Sequence, residues 1–564
     1  MTTTMSSAPT ANSTTTITTA TAAVHILVFP YPAQGHMLPL LDLTHQLVLR
    51  GLKITILVTP KNLPALNPLL SAHHADSLET FVLPFPPHPD LPSGVEHVKD
   101  VGNSGNAPII ASLSKLGEPV IQWFKAHPSP PVAILSDFFL GWTQQWAEKL
   151  NIPRIAFFST RVFLSSALTH LWRHMDSLID APIVEFSDLP RSPSFLNEHL
   201  PSIFKKYKKG DSDWEVVKKG MLANSESWGC VFNSFHALDG DYFDHMKEEL
   251  GHGRVFGVGP LSFMAGSESL RWVSPDYDPG NGVLTWLDKC PGGSVLYICF
   301  GSQKELAQPQ IEAMAAGLER SRIRFVWVVK SKGWLPHGFE EKVADQGFVV
   351  KGWAPQLKIL SHKALGGFLS HCGWNSVLES VEAGVVILGW PMEADQYVNA
   401  RLLVEDQGLA VRVCEGGSTV PDPDELARIM SESINGNIPQ KERARLMREK
   451  ALEAVKAGGR SSMALEELVK ELSHAGGKKI KFFNPRSMSY IVIHIKQEDQ
   501  PSTRKATSME DDQSFGIAMD DVANPINMID SASQEVHQRC KIRLLFNSMH
   551  DLKRTKRTEA NDNG

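Results

Sequence analysis

One short stretch of the chain, GGFLSHCGWNSVLESVEAG, concentrates hydrogen-bonding side chains where an apolar run gives way to a helical pattern. His371, Asn375, Ser376 and Glu379 lie here around Gly373. The first turn of a helix offers free N–H groups and a positive dipole end, which together attract phosphate. His371, Asn375 and Ser376 can add donors to the same anion. Glu379 shares a helix face with Asn375 and Ser376, and its carboxylate can accept the two hydroxyls of a ribose.

The same stretch has an alternative interpretation that involves no ligand. Ser376 and Glu379 have the spacing of a capping box, in which the two side chains satisfy N–H groups at the start of a helix. A cap does not require His371, Gly373 and Asn375 as well. The full set of residues therefore favours a phosphate and ribose site.

Three other predicted strands also end in residues that suit a nucleotide sugar. Trp353 in KGWAPQ can stack on a base, Gly301 and Ser302 in ICFGSQ form a second phosphate-facing turn, and Asp395 and Gln396 in WPMEADQYVN can bind sugar hydroxyls. The alternatives are a structural tryptophan anchor and an acid that stabilises a helix N-terminus. Ligands of open parallel sheets bind at the carboxyl ends of the strands. Together these strand ends predict a nucleotide-sugar pocket.

A possible catalytic pair lies in the first half of the chain. His36 follows the first predicted strand, and Asp137 ends another strand in AILSDFF. A lone histidine at this place would more often be a helix-start or core residue. An acid beside it would fix its tautomer and stabilise the imidazolium, as a general base near neutral pH requires. The pair therefore predicts proton abstraction from a hydroxyl.

The elements that position these residues alternate between apolar strands and helices. The strands of the first half are predicted at 25–31, 52–60, 131–139 and 152–160. A Gly/Pro/Ser-rich passage follows, and the alternation then restarts. Apolar strands that alternate with helices indicate parallel sheets covered on both faces. We therefore predict two α/β domains with a cleft between them.

The overall composition excludes several classes of protein. The chain has 564 residues, 42% of them hydrophobic and 21% charged, with a net charge of -6. This charge does not indicate nucleic acid or an anionic membrane as a partner, and no apolar run is long enough for a membrane span. The six cysteines are scattered, which argues against a disulfide framework and a zinc ribbon. We find no metal-binding motif, no GxSxG nucleophile elbow and no GxGxxG dinucleotide motif.

Residues 353–396 resemble the donor-binding box of plant family 1 UDP-sugar glycosyltransferases, and the similarity extends from about 24 to 475. The resemblance implies a GT-B fold, with two Rossmann-like domains that face a cleft. It departs from the family at Val386, where a proline is typical. Because this position begins a predicted strand, we expect only a small effect on packing.

The resemblance also implies a role for each matching residue. His36 is the base and Asp137 its partner, Trp353 stacks on uracil, and Glu379 binds the ribose. The other implied UDP-sugar contacts are Ala354 and Gln356 beside the base, Ser302, His371, Gly373, Asn375 and Ser376 at the diphosphate, Trp374, Asp395 and Gln396 at the sugar, and Ser159 at the sugar or acceptor.

The implied function is an inverting transfer of a hexose from a UDP-sugar to a small phenolic acceptor such as a flavonol. UDP-glucose is the expected donor, with UDP-rhamnose and UDP-xylose left open, and neither a cofactor nor a metal is expected. The enzyme alternative is a sugar-nucleotide epimerase or hydrolase on the same fold, and the other alternative is a UDP-sugar-binding protein without turnover. We expect a cytoplasmic monomer without a membrane span and without nucleic acid as a partner.

The predicted domain organisation follows the same resemblance. Its segments are a disordered tail at 1–23, an acceptor domain at 24–256, a linker at 257–282, a donor domain at 283–459, a helix at 460–475 that returns to the first domain, and a disordered or non-family extension at 476–564.

Overall fold

The computed structural model describes residues 23–264, 282–301, 304–330 and 333–475. The predicted extension 476–564, nearly all of the predicted tail, most of the predicted linker and Ser302 lie outside the described residues. Among the helices of the described ranges, none is both long enough and apolar enough to cross a membrane.

The strands coincide with the apolar runs of the sequence. Within the described residues they are, in chain order, β1 His25–Phe29, β2 Lys53–Val58, β3 Leu78–Val82, β4 Ala133–Asp137, β5 Arg154–Phe158, β6 Ile183–Glu185, β7 Ser194–Leu196, β8 Gly229–Phe232, β9 Val255–Gly257, β10 Val295–Cys299, β11 Arg324–Val329, β12 Gly347–Lys351, β13 Leu365–Ser370, β14 Val386–Gly389 and β15 Ala410–Arg412.

Helices connect most of these strands. The described α-helices are α1 Gln34–Leu49, α2 Asn67–Ala72, α3 Asn106–Ser114, α4 Gly117–Ala126, α5 Thr143–Leu150, α6 Val162–Arg173, α7 Met175–Leu178, α8 Ser202–Lys205, α9 Ser212–Ala223, α10 His236–Leu250, α11 Leu261–Met264, α12 Val283–Asp288, α13 Gln308–Ser321, α14 Phe339–Lys342, α15 Gln356–Leu360, α16 Trp374–Ala383, α17 Gln396–Arg401, α18 Pro423–Asn435, α19 Pro439–Val455 and α20 Arg460–Ala475. Short 3₁₀ helices lie at Pro60–Leu66, Val98–Asp100, Gly102–Gly105, Phe138–Leu140, Asn197–His199 and Asn224–Glu226, and a π-helical turn lies at Leu402–Asp406.

The first sheet has the strand order β3-β2-β1-β4-β5-β8-β9, and all its neighbouring strands are parallel. The chain first moves from β1 outward to β3 and then crosses to β4 on the other side of β1. Such a reversal opens a crevice at the carboxyl ends of the two central strands. His36 follows β1 and Asp137 ends β4, so both residues lie at this crevice.

The second sheet repeats this arrangement with the order β12-β11-β10-β13-β14-β15, again parallel throughout. Its reversal lies between β10 and β13. Gly301 follows β10, and the stretch that begins at His371 follows β13. A small antiparallel hairpin of β6 and β7 lies in the first half of the chain, with Val184 and Phe195 buried in the apolar core.

Both sheets are buried on their two faces. In β1, Ile26 and Val28 belong to one apolar cluster, while Leu27 and Phe29 belong to another on the opposite face. Helices cover each face, as the absence of polar alternation in these strands predicts. The prediction of two Rossmann-like domains is therefore confirmed.

The last helix returns to the first sheet. Leu465, Leu468 and Leu472 of α20 are buried in the same cluster as Ile26 and Val28. The exact limits of the predicted domains stay predictions.

Val386 begins β14, as predicted, and is buried with only 1% of its surface exposed. A proline would lack the N–H that continues a sheet ladder, whereas valine favours a strand.

Candidate active site

His36 and Asp137 meet at the crevice of the first sheet. The Nδ1 atom of His36 lies 3.0 and 3.1 Å from the two carboxylate oxygens of Asp137. A carboxylate accepts hydrogen bonds, so Nδ1 carries the proton and Nε2 is left with a free lone pair. The His36 side chain is 20% exposed and that of Asp137 is completely buried. The pair can therefore act as an oriented general base that is open to a ligand.

Asp137 is held by groups other than the histidine. Its Oδ1 accepts a hydrogen bond of 2.9 Å from the Phe139 N–H, and its carbonyl oxygen accepts one of 3.2 Å from Nη2 of Arg154. Arg154 is itself completely buried, where its guanidinium also donates to Ser136, Asn224 and Ser227. Several independent contacts thus fix the carboxylate beneath the imidazole.

Aromatic rings surround the catalytic pair. The rings of Tyr31, Phe138 and Phe139 lie 5.3, 5.3 and 4.6 Å from the His36 ring, measured between centroids. Burial, with the nearby Asp137 charge, raises the pKa of Tyr31 well above its usual value. Tyr31 therefore stays neutral, and its hydroxyl donates a 2.6 Å hydrogen bond to Asn106.

The turn after β13 forms a cradle around His371. Cys372 has a positive φ of 62°, and Gly373 is the N-cap of α16. A Cβ atom added to Gly301 or Gly373 would lie 2.9 or 2.6 Å from the His371 ring, so both glycines allow a close approach that another residue would block. The absence of these two side chains keeps the start of α16 open to an anion.

His371 is a neutral donor at physiological pH. Burial lowers its pKa from 6.5 to about 4. Its Nδ1 atom is shielded from solvent and has no hydrogen-bond partner among the described residues. A buried polar atom of this kind usually has a partner. A bound phosphate oxygen is a chemically suitable partner for an imidazole N–H in this cradle.

One hydrogen bond joins the two crevices. Nδ2 of Asn375, in the first turn of α16, donates to the carbonyl oxygen of Gly35 at 3.0 Å. Gly35 directly precedes His36. The predicted phosphate-binding turn and the predicted base are therefore in contact, although they are more than 300 residues apart in the chain.

Glu379 belongs to a small polar network. The side-chain nitrogen Nε2 of Gln356 donates to Oε2 of Glu379 and, at 3.4 Å, to the hydroxyl of Ser376. The hydroxyl of Tyr297 donates to the side-chain oxygen Oε1 of Gln356 at 3.3 Å. Gln356 begins α15, directly after the half-buried Trp353 and the buried Ala354. The network orients the carboxylate through Gln356, which lies three residues after Trp353, and this arrangement suits a ribose next to a base.

The capping-box alternative for Ser376 and Glu379 is wrong. Helix α16 begins at Trp374, so Ser376 is already inside the helix and Gly373 occupies the N-cap position. The local spacing matched the motif, but the helix starts three residues earlier than a cap at Ser376 requires.

Asp395 and Gln396 lie in the loop after β14. Burial raises the pKa of the Asp395 carboxyl, an effect opposed by the hydrogen bond from Asn399 and by the nearby charge of His36. Nδ2 of Asn399 donates to Oδ2 of Asp395 at 2.8 Å. The side-chain oxygen Oε1 of Gln396 accepts hydrogen bonds from the backbone N–H groups of Met392 and Glu393, both at 3.0 Å. Hydrogen bonds within this loop and α17 therefore hold both side chains.

Trp374 is placed differently from the other predicted contacts. Its ring is buried, and its indole N–H donates a 2.8 Å hydrogen bond to the carbonyl of Asn233 in the first half of the chain. The Arg161 guanidinium carbon lies 5.6 Å from the ring centroid. The ring thus joins the two halves of the protein and leaves only the backbone of Trp374 for a sugar. Ser159 is buried directly after β5, beside the strand that carries Asp137.

Several residues of the site were not found by sequence reasoning. Arg154 had a detectable signal, because it is a charged residue at the start of the otherwise apolar strand RIAFF. Asn399 and Tyr31 had none, since their roles depend on contacts with residues distant in sequence.

Among the described residues, one group has the geometry of a possible metal site. Ligand atoms of His88, Asp90 and Asp213 lie within 4.8 Å of one another. The Nε2 atom of His88 lies 3.0 Å from an Asp213 oxygen, and its Nδ1 accepts the Asp90 N–H at 3.2 Å. Both nitrogens are therefore engaged, and we assign no metal to the group.

Comparison with known proteins agrees with this geometry. Residues 287–447 match the family described as UDP-glucoronosyl and UDP-glucosyl transferase. The chain is 54% identical to UDP-glycosyltransferase 89A2 of Arabidopsis thaliana over 450 residues, which cover 79% of this chain and 95% of that protein. It is 45% identical to flavonol 3-O-glucosyltransferase UGT89B1 of the same plant, over 81% of this chain and 97% of that protein. The crystal structure of A. thaliana UGT89C1 complexed with UDP-L-rhamnose is similar at 38% identity and a TM-score of 0.65, over 80% of this chain and 100% of that one.

Proposed function

The chain belongs to the plant family 1 UDP-glycosyltransferases, enzymes of GT-B fold that use a UDP-sugar as co-substrate, and we propose that it transfers glucose to a hydroxyl of a flavonol or similar small phenol. The observation that carries the proposal is the contact between Asn375 and Gly35. It supports the proposal because the start of α16, which we assign to the diphosphate, lies next to the residue that precedes His36. A transferase needs this proximity, because the donor and the acceptor must react with each other.

We assign the donor to the edge of the second sheet. The free N–H groups at the start of α16, together with His371, Asn375 and Ser376, would bind the diphosphate. A neutral His371 can donate one hydrogen bond without contributing charge. The helix dipole and these fixed donors would stabilise the negative charge that develops on the leaving UDP. Trp353 would stack on uracil, and Glu379, oriented by Gln356, would accept the ribose hydroxyls.

We assign proton abstraction to His36. Its Nε2 would take the proton of the acceptor hydroxyl while Asp137 stabilises the imidazolium. The acceptor oxygen then forms a bond to the anomeric carbon, and the bond from that carbon to the UDP oxygen breaks on the opposite face. A single displacement of this kind inverts the anomeric configuration. The proposed mechanism needs no metal.

A phenolic acceptor agrees with the surroundings of the base. Tyr31, Phe138 and Phe139 form an aromatic wall beside His36. Flat aromatic ligands pack well on such rings. A phenol has a free pKa near about 10, which makes its deprotonation easier than that of an alcohol. The similar protein UGT89B1 is named a flavonol glucosyltransferase, which supports this class of acceptor.

The identity of the sugar depends on Asp395 and Gln396. Their positions in the loop after β14, at the carboxyl end of a strand of the second sheet, suit contacts with sugar hydroxyls, and the glucosyltransferase name of UGT89B1 supports glucose. The complex of the similar UGT89C1 with UDP-L-rhamnose makes rhamnose the competing donor to test. The cytoplasmic location and the monomeric state stay predictions.

The experiment measures UDP release by the full chain with UDP-glucose and a panel of flavonols and hydroxybenzoates, and determines the anomeric configuration of the product by NMR. We expect a β-glucoside from the α-linked donor. His36→Ala should lower the rate by about 10²–10⁴-fold. His74→Ala is the matched control, because the His74 side chain is 78% exposed.

Other outcomes distinguish the alternatives. UDP release that does not depend on any acceptor would support a hydrolase. Tight binding of UDP without turnover for any donor would support a binding protein. An α-glucoside would refute the single displacement.

A further inference from the structure

A short segment of the first half of the chain runs along helix α17, which follows the predicted sugar-binding turn. The segment comprises β7, the 3₁₀ turn after it and the start of α8. It contacts Tyr397 and Arg401 of α17, which are four residues apart and share one helix face, and Ala394 in the turn before the helix. The three contacting pairs are Ser202 with Ala394, His199 with Tyr397, and Phe195 with Arg401.

Two of these contacts involve rings. The rings of His199 and Tyr397 are stacked, with centroids 4.5 Å apart and planes within 9° of parallel. The Arg401 guanidinium carbon lies 4.6 Å from the ring centroid of Phe195. These two ring contacts hold the segment against α17. Ser202 contacts the turn that precedes α17.

Ser202 binds both backbone polar groups of Ala394. The Ala394 N–H donates to the Ser202 hydroxyl at 2.7 Å, and the Ser202 N–H donates to the Ala394 carbonyl at 3.2 Å. Ala394 has a φ of 57°, a left-handed conformation that is unfavourable for a residue other than glycine. Such a conformation persists only where neighbouring contacts fix it, and here one serine from the other half of the protein provides two of them.

Asp395 and Gln396 directly follow Ala394. Within the described residues, the hydrogen bonds of their side chains come from the second half of the chain, since Asn399 holds Asp395 and the Met392 and Glu393 N–H groups hold Gln396. The conformation of Ala394 therefore sets the direction in which the Asp395 side chain leaves the backbone.

We propose that Ser202 is a positioning residue for recognition of the donor sugar. It keeps the Ala394 turn in the conformation that aims Asp395 and Gln396 at the sugar hydroxyls, without itself contacting the substrate. The first domain then contributes to the choice of donor sugar as well as binding the acceptor. This inference rests on the proposed function, in which Asp395 and Gln396 bind the sugar.

The test compares the binding of UDP-glucose and of UDP to the full-length protein by calorimetry. Ser202→Ala should raise the Kd for UDP-glucose by about three- to tenfold, the effect of losing one neutral hydrogen bond. The Kd for UDP should change less than about twofold, because the assigned contacts of uracil, ribose and diphosphate lie in other loops. Ser202→Thr keeps the hydroxyl and should restore the binding of UDP-glucose.

Ser177→Ala is the matched control. Ser177 is an exposed serine of the same half, and its hydroxyl donates to the carbonyl of His174 in its own turn. It should leave both dissociation constants unchanged. Asp395→Asn is the positive control and should weaken UDP-glucose more than UDP.

The binding readout separates this inference from the proposed transfer. A Ser202→Ala protein that loses affinity for UDP and UDP-glucose equally has been loosened as a whole, which overturns the positioning role. Unchanged affinity for UDP-glucose overturns it as well. If the selective loss is found but the wild type transfers no sugar, the role of Ser202 stands and the proposed activity fails.

Discussion

Replacement of Asp137 by asparagine tests the proposed catalytic pair most directly. The carboxylate is completely buried, and its oxygens lie 3.0 and 3.1 Å from Nδ1 of His36. When His36 takes a proton, the imidazolium faces a negative charge that asparagine lacks. At a separation of about 4 Å and an effective dielectric constant of about 20, this attraction is worth about 4 kcal/mol. Each 1.4 kcal/mol of lost stabilisation slows the reaction about tenfold, so kcat should fall by about 10³-fold.

The assay is steady-state transfer to a phenolic acceptor over a range of pH. The KM for UDP-glucose should stay within about threefold of the wild-type value, because Asp137 lies in the first sheet and is not assigned to the donor. The defect should shrink as the pH approaches the acceptor's pKa, near about 10 for a simple phenol, since an ionised acceptor needs no base. Asp76→Asn is the control, because the Asp76 side chain is 91% exposed. A loss below about tenfold, or a defect that does not vary with pH, would refute the assignment of His36 as the base.

Two further predictions concern the cradle around His371. Gly373→Ala places a Cβ 2.6 Å from Nε2 of His371 and should weaken UDP binding in calorimetry by about tenfold. The φ of -60° at this position tolerates alanine, so the weaker binding would come from displacement of the His371 ring and not from backbone strain. Gly253→Ala is the control, because no described residue beyond its two chain neighbours comes within 4 Å of the added Cβ, and equal UDP affinities in the two variants would contradict the cradle. The second prediction follows from the pKa of His371, which burial lowers from 6.5 to about 4. His371 of the unfolded chain takes up its proton at a higher pH than His371 of the folded protein, so the free energy of unfolding falls as the pH drops from 6.5 towards 4. In denaturant titrations, His371→Gln should remove up to about 3 kcal/mol of this loss. A pH dependence identical to that of the wild type would show that His371 is not buried in its neutral form.

Much of the fold could be predicted from the sequence because its signals are local. The apolar runs around Ile26, Ile134 and Phe368 lack polar alternation, which identifies strands of parallel sheets covered on both faces. The residues at the ends of those strands then share one edge of each sheet. This is why His36 and Asp137 could be paired before their contact was known.

The parts that the sequence did not indicate depend on contacts across long distances in the chain. The bond from Trp374 to Asn233 spans 141 residues, and no local pattern indicates that this ring turns towards the first half of the protein. The hairpin of β6 and β7 was not predicted either, because its strands have only three residues each, too few for a recognisable periodic pattern. The contact of Ser202 with Ala394 had no sequence signal at all, since it depends on a partner in the other half of the chain.

The return of α20 to the first sheet has a consequence for the synthesis of the protein. Leu465, Leu468 and Leu472 belong to the apolar cluster on the face of the sheet that carries Ile26 and Val28, and α20 packs against β9 at the edge of that sheet. The ribosome makes Leu472 about 215 residues after Gly257, the last residue of β9. At roughly 5–20 residues per second, this edge waits about 10–40 s for its last helix. During that time the nascent first domain presents an apolar surface at β9 that α20 covers only later. The core of the first domain is therefore completed only after the chain has been translated beyond Leu472.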